Sequence, residues 1–125
     1  MTEDDAGFSE LIGLEFTDAG DGYSRGTLTV SDRLTNPNDV LHGGVAYTMA
    51  DSGMAAALQS EMTADERCAT IEIKISYLEP VTEGTVTCES TVVRRGGSVA
   101  FLESEVQQEG ASVARATGSF SIFVP

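Results

Sequence analysis

The stretch Asn36–Met62 decides the fold of this chain, and it reads NPNDVLHGGVAYTMADSGMAAALQSEM. It opens as a polar loop, tightens at His42-Gly43-Gly44, and continues as a long apolar run rich in alanine and methionine. Such a run predicts a long helix buried on most sides, preceded by a turn. Asp51 is the one side chain within the apolar run that we expect to be charged. Burying a lone carboxylate costs several kcal/mol unless it is offset, so the position of Asp51 needs a functional or structural reason.

The size and charge of the chain bound what it can do. Its 125 residues predict a single domain spanning residues 1–125. The net charge of -13 argues against nucleic acid or an anionic membrane as a partner. Lys74 is the only lysine, and an acid-rich, lysine-poor surface predicts a protein kept soluble at high salt, where charge repulsion is screened. The alternative is an ordinary acidic cytosolic protein.

Motifs for targeting, membrane spanning and metal binding are not recognised. The first ten residues are acidic, and the apolar run is too short and too rich in small residues to span a bilayer, so we expect a cytoplasmic location. Cys68 and Cys88 lack a metal-ligand spacing, and His42 is the only histidine. We therefore expect two buried, reduced thiols and no metal site.

Periodicity predicts one central helix and a sheet around it. Residues 1–6 are predicted to be loose or to start a short helix, with Phe8, Leu11 and Ile12 as its apolar face. Ile71, Ile73, Ile75 and Tyr77 alternate on one face of a strand. The predicted strands are Leu14–Ala19, Tyr23–Val30, Thr70–Leu78, Thr85–Arg95, Ser98–Glu109 and Ala111–Val124. The expected fold is α+β, with an antiparallel sheet of five to six strands wrapped around the long helix.

The start of the helix offers an oxyanion site. The N–H groups of Gly43, Gly44 and Val45 carry the positive end of the helix dipole, and glycine lets a substrate approach the backbone closely. A carbonyl oxygen held against the Gly43 N–H would be polarised. Asn36 and His42 are polar side chains that can orient this loop or the substrate. The plain alternative is that His-Gly-Gly only makes a turn and caps the helix.

Helix geometry separates Gly43 from Asp51. Eight residues at about 1.5 Å per residue place their Cα atoms about 12 Å apart. Attack on a carbonyl requires the reacting atoms about 3–3.5 Å apart, so Asp51 cannot reach a carbonyl held at its own helix start. If both groups act on one substrate, they come from different subunits. A two-fold dimer with antiparallel helices would make two such sites at its interface.

The chain resembles the hotdog-fold acyl-CoA thioesterases of the phenylacetic-acid-degradation (PaaI-like) type. The likeness rests on the helix motif, on the strand TIEIKISYLEP at residues 70–80, and on ARATGSF at residues 114–120. The residues that fill the helix motif are Asn36, His42, Gly43, Gly44, Ala50 and Asp51.

The resemblance implies a thioester hydrolase with no cofactor beyond the CoA of its substrate. It implies that the Gly43 N–H binds the thioester oxygen, with Asn36 and His42 positioning the loop. Asp51 of the other subunit would be the nucleophile or general base, and Thr70 would hold a water or the carboxylate. The expected assembly is a homodimer or a dimer of dimers.

Three questions stay open at this point. Arg94 and Arg95 form the only adjacent basic pair, which predicts contact with the CoA phosphates, although turns are often simply solvated.

Tyr47, Met54 and Phe8 hint at an aromatic or medium-length acyl group. The alternatives to a thioesterase are a hotdog hydratase or dehydratase that uses His42 with a carboxylate, and a non-catalytic acyl-CoA-binding module.

Overall fold

A computed structural model describes residues 3–125, in which one long helix packs against a six-stranded sheet. Met1 and Thr2, predicted to be loose, lie outside the described residues. A short 3-10 turn spans Asp32–Leu34. The helices and strands, in chain order, are α1 Glu3–Leu11, β1 Glu15–Gly20, β2 Tyr23–Thr29, α2 Gly43–Gln59, β3 Arg67–Tyr77, β4 Thr85–Arg95, β5 Val99–Gln108 and β6 Ala111–Phe123.

The sheet has the strand order β1-β2-β4-β5-β6-β3, and all neighbouring strands are antiparallel. The α+β prediction is therefore confirmed. The bounds of β4 match the prediction, whereas β3 begins at Arg67 rather than Thr70. The turn between β1 and β2 holds Asp21 and Gly22 at positive φ, 53° and 75°, as the predicted tight hairpin requires. β1 and β3 form the two edges of the sheet.

The helix α2 lies on one face of the sheet and is held close to it by small residues. Its buried side chains recur every three or four positions and include the fully buried Met49 and Met54. The buried Ser24 Oγ of β2 donates a hydrogen bond to the Gly53 carbonyl oxygen at 2.6 Å. Because a buried hydroxyl needs such a partner, this contact fixes the helix two residues from Asp51.

The prediction that α2 is covered on most sides is wrong for one face. Tyr47 is 37% exposed, and Thr48, Asp51 and Ala55 are only partly buried. In the described chain, α1 contacts α2 near Ser52 but leaves this face open. Of the predicted apolar face of α1, Ile12 packs against the core, whereas Phe8 and Leu11 are exposed. We call the face formed by Tyr47, Thr48, Asp51 and Ala55 the open face of α2.

A β-bulge in β3 breaks the predicted alternation. The register against β6 shifts between Thr70 and Glu72, which makes Ile71 the extra residue. Ile71 is 55% exposed whereas Ile73 and Ile75 pack against the core, so the prediction that Ile71 shares their face is wrong. The bulge lets Thr70 and Ile73 both face α2, although a regular strand would put them on opposite faces.

The two cysteines differ in their surroundings. Cys88 is buried, and burial raises the pKa of its thiol to about 11, so it stays protonated at neutral pH. Cys68 is only partly buried, which corrects the prediction of two buried thiols.

Candidate active site

The first turn of α2 leaves one backbone N–H available. His42 is the N-cap residue, and its Nδ1 accepts a hydrogen bond from the Gly44 N–H at 2.8 Å. The His42 carbonyl oxygen accepts from the Val45 N–H at 2.9 Å. Among the backbone of residues 3–125 and the side chains of residues 7–125, no group accepts a hydrogen bond from the Gly43 N–H. Since the helix dipole also favours negative charge here, the Gly43 N–H is the donor best placed for an oxyanion.

The capping contact also fixes the tautomer of His42. With Nδ1 acting as acceptor, the proton of the neutral ring lies on Nε2. His42 is exposed, so this Nε2–H can donate to a bound group. The structure therefore gives His42 a capping role, and its second nitrogen stays available to a substrate.

Asn36 acts on its own loop. Its Oδ1 accepts from the Asn38 N–H at 2.9 Å and the Val40 N–H at 3.3 Å. Its backbone N–H donates to the Val40 carbonyl oxygen at 2.8 Å. Such contacts stabilise a compact loop, and this loop delivers His42 to the helix start.

Asp51 and Thr70 form a hydrogen-bonded pair on the open face of α2. The Thr70 hydroxyl donates to Asp51 Oδ1 at 2.7 Å. Asp51 is partly exposed in the single chain, so its surroundings are less apolar than the sequence predicted. The difference arises because the carboxylate points towards the edge strand β3 and away from the core. The pair is open to solvent or to a second molecule on this side.

Tyr77 is a neighbour of Gly43 that the sequence analysis did not identify as a site residue. Its hydroxyl donates to the Gly43 carbonyl oxygen at 2.6 Å, and its ring lies against the Gly43 Cα. Burial raises the pKa of Tyr77, with a smaller contribution from Tyr47, so the phenol remains a donor at neutral pH. The signal was present in the alternation of β3, which placed Tyr77 on the same face of the strand as Ile73 and Ile75.

An apolar cavity of about 350 Å³ adjoins Gly43. It lies between the first turn of α2, the loop at Asn36–Leu41, and the segment that follows β3. The residues that the sequence suggested for an acyl pocket were Tyr47, Met54 and Phe8. Met54 is in the core and Phe8 does not line this cavity, so those two expectations are not supported.

The structure separates the two arginines of the basic pair. The Arg95 guanidinium binds both carboxylate oxygens of Glu66 at 2.7 Å and donates to the Gly96 and Gly97 carbonyl oxygens. This ion pair lowers the pKa of Glu66. Arg95 is therefore committed to bracing the hairpin, which argues against its predicted contact with CoA. Phosphate contact stays a prediction for Arg94, which is exposed.

Metal and membrane sites are not found in the part of the chain that the structure describes. It holds no group of three His, Cys, Asp or Glu side chains that could bind a metal ion. None of its helices is long and apolar enough to cross a membrane.

Comparison with known proteins decides the family. A model of the thioesterase superfamily matches residues 38–114, which include His42, Gly43, Gly44, Ala50 and Asp51 of the helix motif and the whole of β3, β4 and β5. The chain belongs to the thioesterase superfamily. The predicted resemblance to thioester hydrolases with the hotdog fold is thereby confirmed.

Three relatives show how far the likeness extends for this thioesterase. A Halobacterium salinarum protein named "Putative esterase" is 33% identical, over 96% of this chain and 87% of the relative. The 1,4-dihydroxy-2-naphthoyl-CoA hydrolase of Listeria monocytogenes is 26% identical, over 82% and 84%. The structure of phenylacetic acid degradation protein PaaI from Thermus thermophilus superposes with a TM-score of 0.85. It is 25% identical and covers 91% of this chain and 96% of that chain.

Proposed function

We propose that this thioesterase hydrolyses an acyl-CoA to the free acid and CoA, with Gly43 and Asp51 at the reacting centre. The observation that carries the proposal is the unpaired Gly43 N–H at the start of α2, beside an apolar cavity. A thioester oxygen bound there gains charge during attack, and a fixed backbone donor stabilises that charge in the transition state. Other N–H groups of the first turn are already used by His42.

The carboxylate of Asp51 is the proposed nucleophile or general base. In one route it attacks the carbonyl carbon, the C–S bond breaks, CoA leaves as the thiolate, and water hydrolyses the resulting anhydride. In the other route it takes a proton from a water molecule as that water attacks. The Thr70 hydroxyl donates a hydrogen bond to Asp51 Oδ1 and so fixes the orientation of the carboxylate. The other lone pairs of the carboxylate stay available for the reaction. Both routes end in the acid and the CoA thiol.

The two halves of the site are proposed to meet across a homodimer. Two side-chain hydrogen bonds join the edge strand β3 to α2, one from Thr70 to Asp51 and one from Tyr77 to Gly43. If the β3 edges of two subunits pair antiparallel about a point midway between Thr70 and Tyr77, each Gly43 lies towards the partner's Asp51. An unpaired edge strand is normally protected or used for association, and β3 is long and carries exposed Ile71.

A second interface is proposed on the outer face of the sheet, where dimers pair into a dimer of dimers. Four of the seven basic residues project from this face according to the strand register, although the whole chain has a net charge of -13. Exposed Val99 and Phe101 lie on the same face. Glu72, Glu89, Glu103 and Glu105 project from the same face, so its cations and carboxylates can pair across an interface formed around the exposed apolar residues. The four basic residues are Arg25, Lys74, Arg94 and Arg115.

The reaction is tested by thiol release from a panel of aliphatic and aromatic acyl-CoAs, assayed in dilute buffer and in molar salt. An aromatic member belongs in the panel because one relative is named a 1,4-dihydroxy-2-naphthoyl-CoA hydrolase. We expect turnover by the wild-type protein and its loss in Asp51→Asn with the fold retained by circular dichroism. Hydration of an enoyl-CoA without thiol release, or tight binding without any turnover, would replace the thioesterase proposal.

A further inference from the structure

The cavity beside Gly43 is bounded by small residues on two different elements. It is lined mainly by apolar side chains, and polar lining residues such as Asn36 and Glu79 lie in loops. Ala46 lies one turn after Gly43 on α2, and Ala114 lies on β6; both are buried and both line the cavity. In the register of the sheet, Ala114 stands between Tyr77 of β3 and Val106 of β5. The larger neighbours form walls, and the two alanines leave the space between them.

The walls of this cavity are held by backbone hydrogen bonds. The Leu41 N–H donates to the Val81 carbonyl oxygen at 2.7 Å. The Leu78 N–H donates to the Val113 carbonyl oxygen at 2.9 Å. Since these contacts tie together the segments that surround the cavity, its depth is set by side-chain size and does not depend on a flexible loop.

We propose that this cavity receives the acyl group of the substrate and that Ala46 and Ala114 set the longest chain it accepts. The inference rests on the proposed thioesterase reaction, because it places the thioester carbonyl at the Gly43 N–H. From that point the acyl chain extends along the alanines. The substrate class is then an uncharged, apolar acyl-CoA of medium length. Glu79 is one of the lining residues, and its negative charge opposes acyl groups that carry a carboxylate of their own.

The volume gives a length limit. A methylene group is similar in size to a water molecule, whose share of liquid volume is about 30 Å³, so 350 Å³ holds roughly ten to twelve carbons. Each methylene buried within that limit should raise kcat/KM about fourfold, equivalent to about 0.8 kcal/mol. Beyond the limit, added carbons remain in water and the increase stops.

The experiment measures kcat/KM by thiol release for straight-chain acyl-CoAs from butanoyl to hexadecanoyl. Ala46→Val and Ala114→Val each add two carbons to the cavity, so each should shorten by about two carbons the chain length at which kcat/KM stops rising. Val113→Ala removes two carbons from the lining and should lengthen it by a similar amount. The matched control is Ala57→Val, which adds the same volume to a buried position of α2 that does not line the cavity.

The outcomes separate this inference from the proposed reaction. Opposite shifts in the two kinds of lining variant, with the control profile unshifted, support it. Val113→Ala keeps the test valid if the larger substitutions do not fold. Wild-type hydrolysis with a chain-length profile that none of the lining variants moves would overturn the inference while leaving the thioesterase reaction intact. A wild-type protein that hydrolyses no acyl-CoA would remove the proposed function itself.

Discussion

The sharing of one active site between two subunits can be tested by combining two inactive chains. One chain carries Asp51→Asn and the other carries Gly43→Pro. Gly43 is the first residue of α2, where proline is well tolerated; the substitution removes the N–H and adds a ring whose Cβ lies about 3.1 Å from the Tyr77 ring. His42 has φ -60° and ψ 132°, a conformation that the residue before a proline readily adopts. The proline variant therefore deletes the proposed oxyanion donor with little change to the helix.

The expected magnitudes follow from the separation of the two groups. Loss of one oxyanion donor costs about 10²–10³ in kcat, and loss of a general base costs about 10²–10⁴, so each parent homodimer should be nearly inactive. In a heterodimer, one site combines the intact Gly43 of one chain with the intact Asp51 of the other. The second site has both defects. A heterodimer should therefore show about half of the wild-type kcat, because a two-fold dimer has two equivalent sites.

The assay uses co-expressed chains with two different affinity tags, purified in two steps and checked for a one-to-one ratio by native mass spectrometry. Thiol release then gives kcat per dimer. Gly43→Ala is the matched control, since it keeps the N–H but adds a Cβ about 3.1 Å from the Tyr77 ring. The activity of Gly43→Ala shows how much of the activity lost in Gly43→Pro is due to steric crowding against Tyr77. Heterodimers as inactive as both parents would refute the shared site.

Three further predictions follow from single contacts. Thr70→Val should lower kcat about tenfold, or about 1.4 kcal/mol, while Thr70→Ser keeps the donor to Asp51 and most of the activity in steady-state assays. Tyr77→Phe keeps the ring on Gly43 but loses its hydrogen bond, so kcat should fall about fivefold with little change in KM. Burial and a hydrogen-bonded carboxylate raise the pKa of Tyr23 from 10.0 to about 12, so the folded state holds this proton more tightly. Stability should fall as pH rises from about 10 towards 12, and denaturant titrations of Tyr23→Phe should show a flatter profile.

Much of the fold could be read from the sequence because the signals were local. The alternation in the strands and the glycines at the hairpins fixed where strands begin and turn, and β4 matches its predicted bounds. The pairing of Thr70 with Asp51 was expected from the family resemblance, and the structure brings these side chains to 2.7 Å. The roles of both residues in catalysis stay predictions.

The features that escaped the sequence depend on contacts between distant segments. A bulge has no reliable local signature, so Ile71 was assigned to the wrong face of β3. The commitment of Arg95 to Glu66 joins a hairpin to the loop after α2. The cavity arises where three segments meet, and no single segment carries a pattern for it. The open face of α2 was missed because an apolar helix predicts burial without specifying which molecule provides the cover.

The strand β3 explains why the site and the assembly are proposed together. One strand holds the Asp51 carboxylate through Thr70 and the proposed oxyanion donor Gly43 through Tyr77, and the same strand is an edge of the sheet in the described part of the chain. Helix geometry keeps the Cα atoms of Gly43 and Asp51 about 12 Å apart within one chain, so the two residues of a single subunit cannot act on the same carbonyl group. Antiparallel pairing of two β3 edges can bring Gly43 of one subunit towards Asp51 of the other, because the Tyr77 end of one strand then lies beside the Thr70 end of its partner. A mutation at the β3 edge should therefore weaken assembly and activity in parallel.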